Sequence, residues 1–173
     1  MTEGTTAWGG SGPVIVGPKD GRSVDLRSIG CRFMIDGDQS GGGFSLVEHP
    51  MPPRALAAPL HRHSREDEYS YVLEGRMGAV LGGEVVHAEV GDLVFKPRDQ
   101  WHTFWNAGDE PARILEIISP AGFERYFVEI AELVKDGPPD ERLLGELLGQ
   151  YGFEVDPASI PQLVQEHGLV FPG

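Results

Sequence analysis

Short apolar stretches recur through the first two thirds of the chain, at 14–16, 31–35, 44–47, 69–73, 77–81, 85–90, 93–95, 102–105 and 114–118. Turn-forming clusters separate them: Asp36-Gly37-Asp38, Gly41-Gly42-Gly43, Gly82-Gly83, Gly91-Asp92 and Asn106-Ala107-Gly108. Short strands punctuated at this spacing predict an antiparallel sandwich or barrel. Gly82-Gly83 between two strand-like runs predicts a two-residue hairpin. The period then changes. Ser119-Pro120 offers an N-cap and a proline at the first helical position, and Phe123, Phe127, Ile130 and Val134 follow at helical spacing. A second helix is predicted over 140–151, with Leu143, Leu144, Leu147 and Leu148 on one stripe and Gly152 to end it. Ser159-Ile160-Pro161-Gln162 matches a capping box for a third helix, which Gly168 can close. The expected division is a flexible Gly/Ser/Thr-rich segment 1–13 with Trp8 as a possible anchor, a β domain 14–118 and a helical extension 119–173.

With 173 residues, the chain can bury a core as one domain. Its 14 basic and 27 acidic residues give a net charge of -13. Such a surface repels phosphate backbones and anionic lipid, which argues against nucleic-acid and membrane partners. The single cysteine, Cys31, can neither close an intrachain disulfide nor build a thiolate zinc cage; it reads as a small buried residue. No apolar run approaches the ~18 residues of a membrane span, and the N-terminus lacks the regions of a secretory signal. These features lead to an expectation of a cytoplasmic protein.

The chemistry concentrates in two segments. In Pro59-Leu60-His61-Arg62-His63-Ser64-Arg65-Glu66-Asp67-Glu68-Tyr69, a strand would project His61 and His63 to the same side. Imidazole is the commonest metal ligand among side chains, and two histidines with a carboxylate leave coordination positions open. Glu68 stands at an odd spacing from His63, so a turn or bulge within 64–67 must restore its direction. Glu66 and Asp67 compete with it. In Gly91-Asp92-Leu93-Val94-Phe95-Lys96-Pro97-Arg98-Asp99-Gln100-Trp101-His102, the final histidine begins a strand and supplies a fourth candidate.

Together these segments resemble the two motifs of the cupin superfamily. The first, G(X)5HXH(X)3-4E(X)6G, is met by His61, His63, Glu68 and Gly75; the second, G(X)5PXG(X)2H(X)3N, by Gly91, Pro97, His102 and Asn106. The likeness covers roughly residues 40–118. Ala55 and Asp99 stand where the motifs carry glycine; Asp99 tolerates a left-handed turn better than most residues. The resemblance implies a double-stranded β-helix, the cupin or jelly-roll barrel, here mainly β with C-terminal α-helices. It further implies one divalent first-row metal (Fe, Mn, Ni, Cu or Zn) held by His61, His63, Glu68 and His102. Small single-domain members resemble quercetin dioxygenase-like proteins, in which the ligating glutamate also accepts the substrate's proton, the role this gives Glu68. The expected function is a metal-dependent, dioxygenase-type oxidoreductase on a small organic substrate. The alternatives are a non-oxidative cupin enzyme, polyketide-cyclase-like or isomerase-type, and a non-catalytic metal- or ligand-binding cupin. Strand alternation places Ser70 and Val72 with Glu68, and Phe104 and Asn106 with His102, as substrate-pocket walls, with His49 at the mouth. Trp101 and Trp105 should face away from the metal, and His87 and His167 read as structural or solvated. Dimers are common in the family, and one of the two helical stripes is expected to help seal a homodimer.

Overall fold

A computed structural model describes residues 14–172; the expected segment 1–13, with Trp8, lies outside the described residues. The elements run β1 (Ser23–Asp25), β2 (Gly30–Ile35), α1 (Gly37–Ser40), β3 (Ser45–Met51), β4 (Leu60–His63), β5 (Asp67–Glu74), β6 (Arg76–Leu81), β7 (Glu84–Glu89), β8 (Leu93–Lys96), β9 (His102–Asn106), β10 (Ala112–Ser119), α2 (Glu124–Val134), α3 (Glu141–Tyr151), β11 (Phe153–Asp156) and α4 (Ser159–His167). The strands form two antiparallel sheets, ordered β1-β2-β3-β10-β5-β8 and β11-β4-β9-β6-β7, rather than one closed barrel. No helix is long and apolar enough to cross a membrane among the described residues.

The expected hairpin forms. Leu81 pairs with Glu84, and Gly82 and Gly83 both take positive φ, 56° and 92°, as a two-residue primed turn requires. Asp99 takes φ 64°, so it adopts the left-handed turn that the motif glycine would supply. Residues 14–16 form no strand; the first among the described residues is Ser23–Asp25.

The helical third departs from the reading of its caps. Ser119 ends β10 and donates its hydroxyl to Gly43 O, so α2 starts later, at Glu124. The Glu124 carboxylate instead accepts from the backbone N–H groups of Gly37 and Gly122. α3 starts one residue later than predicted, with Asp140 as its cap accepting from Arg142 N and Leu143 N, and Gly152 closes the helix in the left-handed conformation as expected. The capping box at α4 does not form. Ser159 Oγ donates to Asp156 O and accepts from Leu60 N, tying the helix to β4. Gly168 closes α4 as read.

Both helical stripes pack largely against the chain's own sheets, with Leu143 of the second left 40% exposed. Phe123, Tyr126, Leu147 and Tyr151 pack with Cys31, Phe33, Val47 and Ile118 of the six-stranded sheet, and Phe127, Ile130 and Leu148 flank this cluster. Trp105 faces α4, where it is buried with Leu56, Leu163 and Leu169 and stacks on His167 at 4.5 Å between centroids. Between the sheets, Val72, Met77, Ala79, Val94, Phe104 and Ile114 form the third cluster. The extension also contributes a strand that its apolar pattern did not reveal. β11 pairs with β4, Phe153 opposite His63 and Val155 opposite His61, and the Arg62–Glu154 ion pair (2.8 Å) clamps the same register outside.

Candidate metal centre

The four motif residues come from both sheets. His61 and His63 alternate inward on β4, and His102 on β9 pairs directly with His61. The expected change of direction within 64–67 is a turn rather than a bulge, with bends at Ser64 and Arg65. The chain leaves the five-stranded sheet after His63 and enters the six-stranded one at Asp67, so Glu68 approaches from the opposite wall. All four side chains are buried, and one ligand atom from each lies within 4.8 Å of all the others.

Local contacts orient the imidazoles. His61 Nδ1–H donates to Pro59 O at 2.7 Å and His102 Nδ1–H to Gln100 O at 2.9 Å, which leaves each Nε2 lone pair facing inward. His102 Nε2 then sits 3.2 Å from Glu68 Oε2, and His63 Nε2 is 3.5 Å from Glu68 Oε1. A lone pair facing a carboxylate oxygen is repulsive unless a cation or proton lies between them. Neither ring nitrogen of His63 has a hydrogen-bond partner among the described residues, and both are buried. Orphaned acceptors converging in this way fit a cation, and three nitrogens with one oxygen fit a first-row metal.

The electrostatics agree with that donor set. Burial holds the His63 pKa at about 4, and burial followed by the adjacent His102 and His63 holds His61 well below the usual imidazole range. Both are therefore neutral, as ligands must be. For Glu68, burial pushes upward, but Lys96 and His63 outweigh it and hold the carboxyl well below its ordinary value.

Two charged groups around the site, Lys96 and Glu116, were not singled out in the sequence, and a third, Glu66, was named only as a competitor of Glu68. Lys96 is buried, with Nζ 2.9 Å from Glu68 Oε2 and 3.0 Å from Glu116 Oε1. Glu116 also accepts from Ser70 Oγ at 2.7 Å, and burial raises its pKa to about 7. Glu66 is buried too, its Oε2 3.9 Å from His63 Nδ1, with its pKa raised to about 7 by burial. Asp67, the other competitor of Glu68, points outward to Arg98 at 2.8 Å.

The site opens on a cavity of about 320 Å³ whose wall includes His61 and Glu68. Of the expected wall residues, Phe104 and His49 line it. Ser70 and Val72 do not: the first is turned to Glu116 and the second is in the core between the sheets. Asn106 serves the backbone instead, donating to Pro52 O and Glu110 O and accepting from Gly108 N. The remaining wall is mostly apolar and comes largely from the extension, with Phe127, Ile130 and Val134 of α2, Leu144 and Leu148 of α3, and Phe153 of β11.

Residues 48–118 match the Cupin_2 family model, described as a cupin domain. Polyketide synthase CurC of Streptomyces cyaneus is 38% identical over 103 residues, which is 60% of this chain and 64% of CurC. The structure of the polyketide cyclase RemF from Streptomyces resistomycificus is 29% identical, with TM-score 0.54, over 62% of this chain and 79% of RemF. KdgF from Halomonas sp. shares the fold, with TM-score 0.57 and 19% identity over 66% of this chain and 99% of KdgF. Residues 48–118 thus match a cupin domain, and the chain is similar to cupins in its two motifs and in its fold.

Proposed function

We propose that this chain is a metal-dependent cupin enzyme that closes rings in a flat, largely apolar substrate of the polyketide type, without oxidation. The observation that carries this reading is a three-histidine, one-glutamate set that reaches a mainly apolar cavity through His61 and Glu68. The polyketide names of CurC and RemF support the same substrate class. A sugar phosphate fits less well. The sole Lys or Arg side chain on the described wall is the exposed Arg27, and buried Lys96 is engaged by two carboxylates.

A divalent metal held by His61, His63, Glu68 and His102 would supply Lewis-acid polarisation of a substrate carbonyl. The chain does the rest. Phe104, Tyr126 and Phe127 offer aromatic faces to a planar substrate, and the apolar wall of α2 and α3 keeps water from a reactive poly-carbonyl chain. Lys96 holds Glu68 Oε2, which leaves Oε1 as the oxygen able to accept a substrate proton.

The same ligand set fits the dioxygenase-type oxidoreductase expected from the sequence, and the two readings separate on oxygen. Protein reconstituted in turn with Zn(II), Ni(II), Mn(II) or Fe(II) should cyclise a synthetic poly-β-carbonyl thioester under argon. Product that appears only in air, with matching oxygen uptake, would overturn ring closure in favour of dioxygenation.

A further inference from the structure

His49 is a polar group on the cavity wall that the metal centre does not use. It stands on β3, opposite Ile114 of β10, and is 2% exposed. Its ring is held on two sides, edge-on to Phe127 with centroids 5.4 Å apart and tilted against Phe104 at 6.1 Å. Nδ1 lies 3.0 Å from Gly30 O. Because a carbonyl only accepts, Nδ1 carries the proton and Nε2 carries the lone pair. Among the described residues Nε2 has no hydrogen-bond partner, and the residue lines the cavity. Burial lowers the imidazolium pKa to about 4, so the ring remains an acceptor at neutral pH.

The other polar groups on this wall differ. Ser28 Oγ is committed to Ala57 O, Glu116 to Ser70 and Lys96, and His61 and Glu68 to the metal set. Tyr126 brings a phenol that can itself donate. A ligand that fills the cavity removes water from this acceptor, so one that supplies a donor in its place is selected over one that lacks it.

We propose that His49 is a specificity-determining residue that accepts a hydrogen bond at Nε2 from a phenolic or enolic hydroxyl of the substrate, whose ring lies against Phe104 and Phe127. The inference rests on the cavity being the substrate pocket and names hydroxylated aromatic or enolised compounds as its ligand class. Substrates masked as methyl ethers at that position should be rejected.

The test compares 2-naphthol with 2-methoxynaphthalene, which differ by that donor. Calorimetry on the full chain, zinc-loaded and chelator-treated, should give 2-naphthol an advantage of about tenfold in both forms. In His49→Phe the two affinities should converge. In wild-type protein, the ¹⁵N resonance of His49 Nε2 should move with 2-naphthol and stay in place with the ether, a readout that does not depend on the variant folding. Equal affinities in wild type, a preference that survives His49→Phe, or an unmoved resonance would each overturn the proposal. A hydroxyl preference in protein that closes no rings would support this role for His49 and count against ring closure alone.

Discussion

His49 and His63 are imidazoles that burial keeps neutral, each with a folded pKa of about 4 against the ordinary 6.5. At His49 burial is the largest influence and Lys96 lowers the value further, while Gly30 O, Glu68 and Glu48 act in the opposite direction. For a histidine with a depressed folded pKa, the unfolded chain binds the proton first. Stability from this source is therefore complete above about pH 6.5 and is lost as pH falls towards 4. Glu66 and Glu116, raised to about 7, tilt the other way over much of the same window, so the whole-protein profile blends opposing slopes. A difference between two proteins isolates one group. His49→Phe should become less unstable relative to wild type as pH falls from 6.5 to 4, by about 1.4 kcal/mol per pH unit. Urea unfolding of both proteins at four pH values checks this, and a constant difference would show that His49 is not buried neutral. At this scale the sequence revealed His61, His63, Glu68 and His102 through two motifs in fixed order. It did not reveal Lys96 or Glu116, because alternation says that a strand residue faces inward but not that a charge there has found its counter-charge. Asn106 carried a motif signal whose physical content proved to be a loop clamp.

Among the elements, β11 changes the account most. It is a four-residue strand directly after the glycine that ends α3, too short for a periodic signal and set in a region of helical spacing. Yet it gives the ligand-bearing strand β4 its outer neighbour, and Phe153 packs on the rings of His63 at 4.7 Å and His61 at 5.1 Å. Phe153→Ala should cost about 3–4 kcal/mol, as for other large-to-small core changes, and should also weaken metal retention by loosening two ligands. Chemical unfolding and a competitive chelator titration measure the two effects. A destabilised variant with unchanged metal affinity would mean that β11 supports the fold but not the site. The strands that were legible share a feature: each is an apolar run bounded by turn residues, as with β6, β7 and the glycine pair between them. The start of α2 was misplaced because Ser119 met a backbone carbonyl across the fold before it could cap a helix.

For the whole molecule, the helices pack mostly on the chain's own sheets, and a second apolar face suits a homodimer. Tyr69, Tyr71, Leu93 and Phe95 form cross-strand pairs on the outer face of β5 and β8, and β8 is an edge strand. Leu93 is 57% and Phe95 49% exposed, an apolar face on a free edge that natural sheets usually cover. Sedimentation at micromolar concentration should give twice the chain mass, reduced to one in a Leu93→Glu, Phe95→Glu variant. A wild-type monomer would contradict the dimer. The central claim is that the four converging side chains form a metal centre at the inner wall of an apolar pocket. X-ray absorption spectroscopy combined with elemental analysis tests this most directly. The account predicts one first-row metal per chain, with nitrogen and oxygen neighbours at about 2.0–2.2 Å, lost in a folded His61→Ala, His63→Ala variant. Full metal content in that variant, or none in wild-type protein supplied with metal, would contradict it.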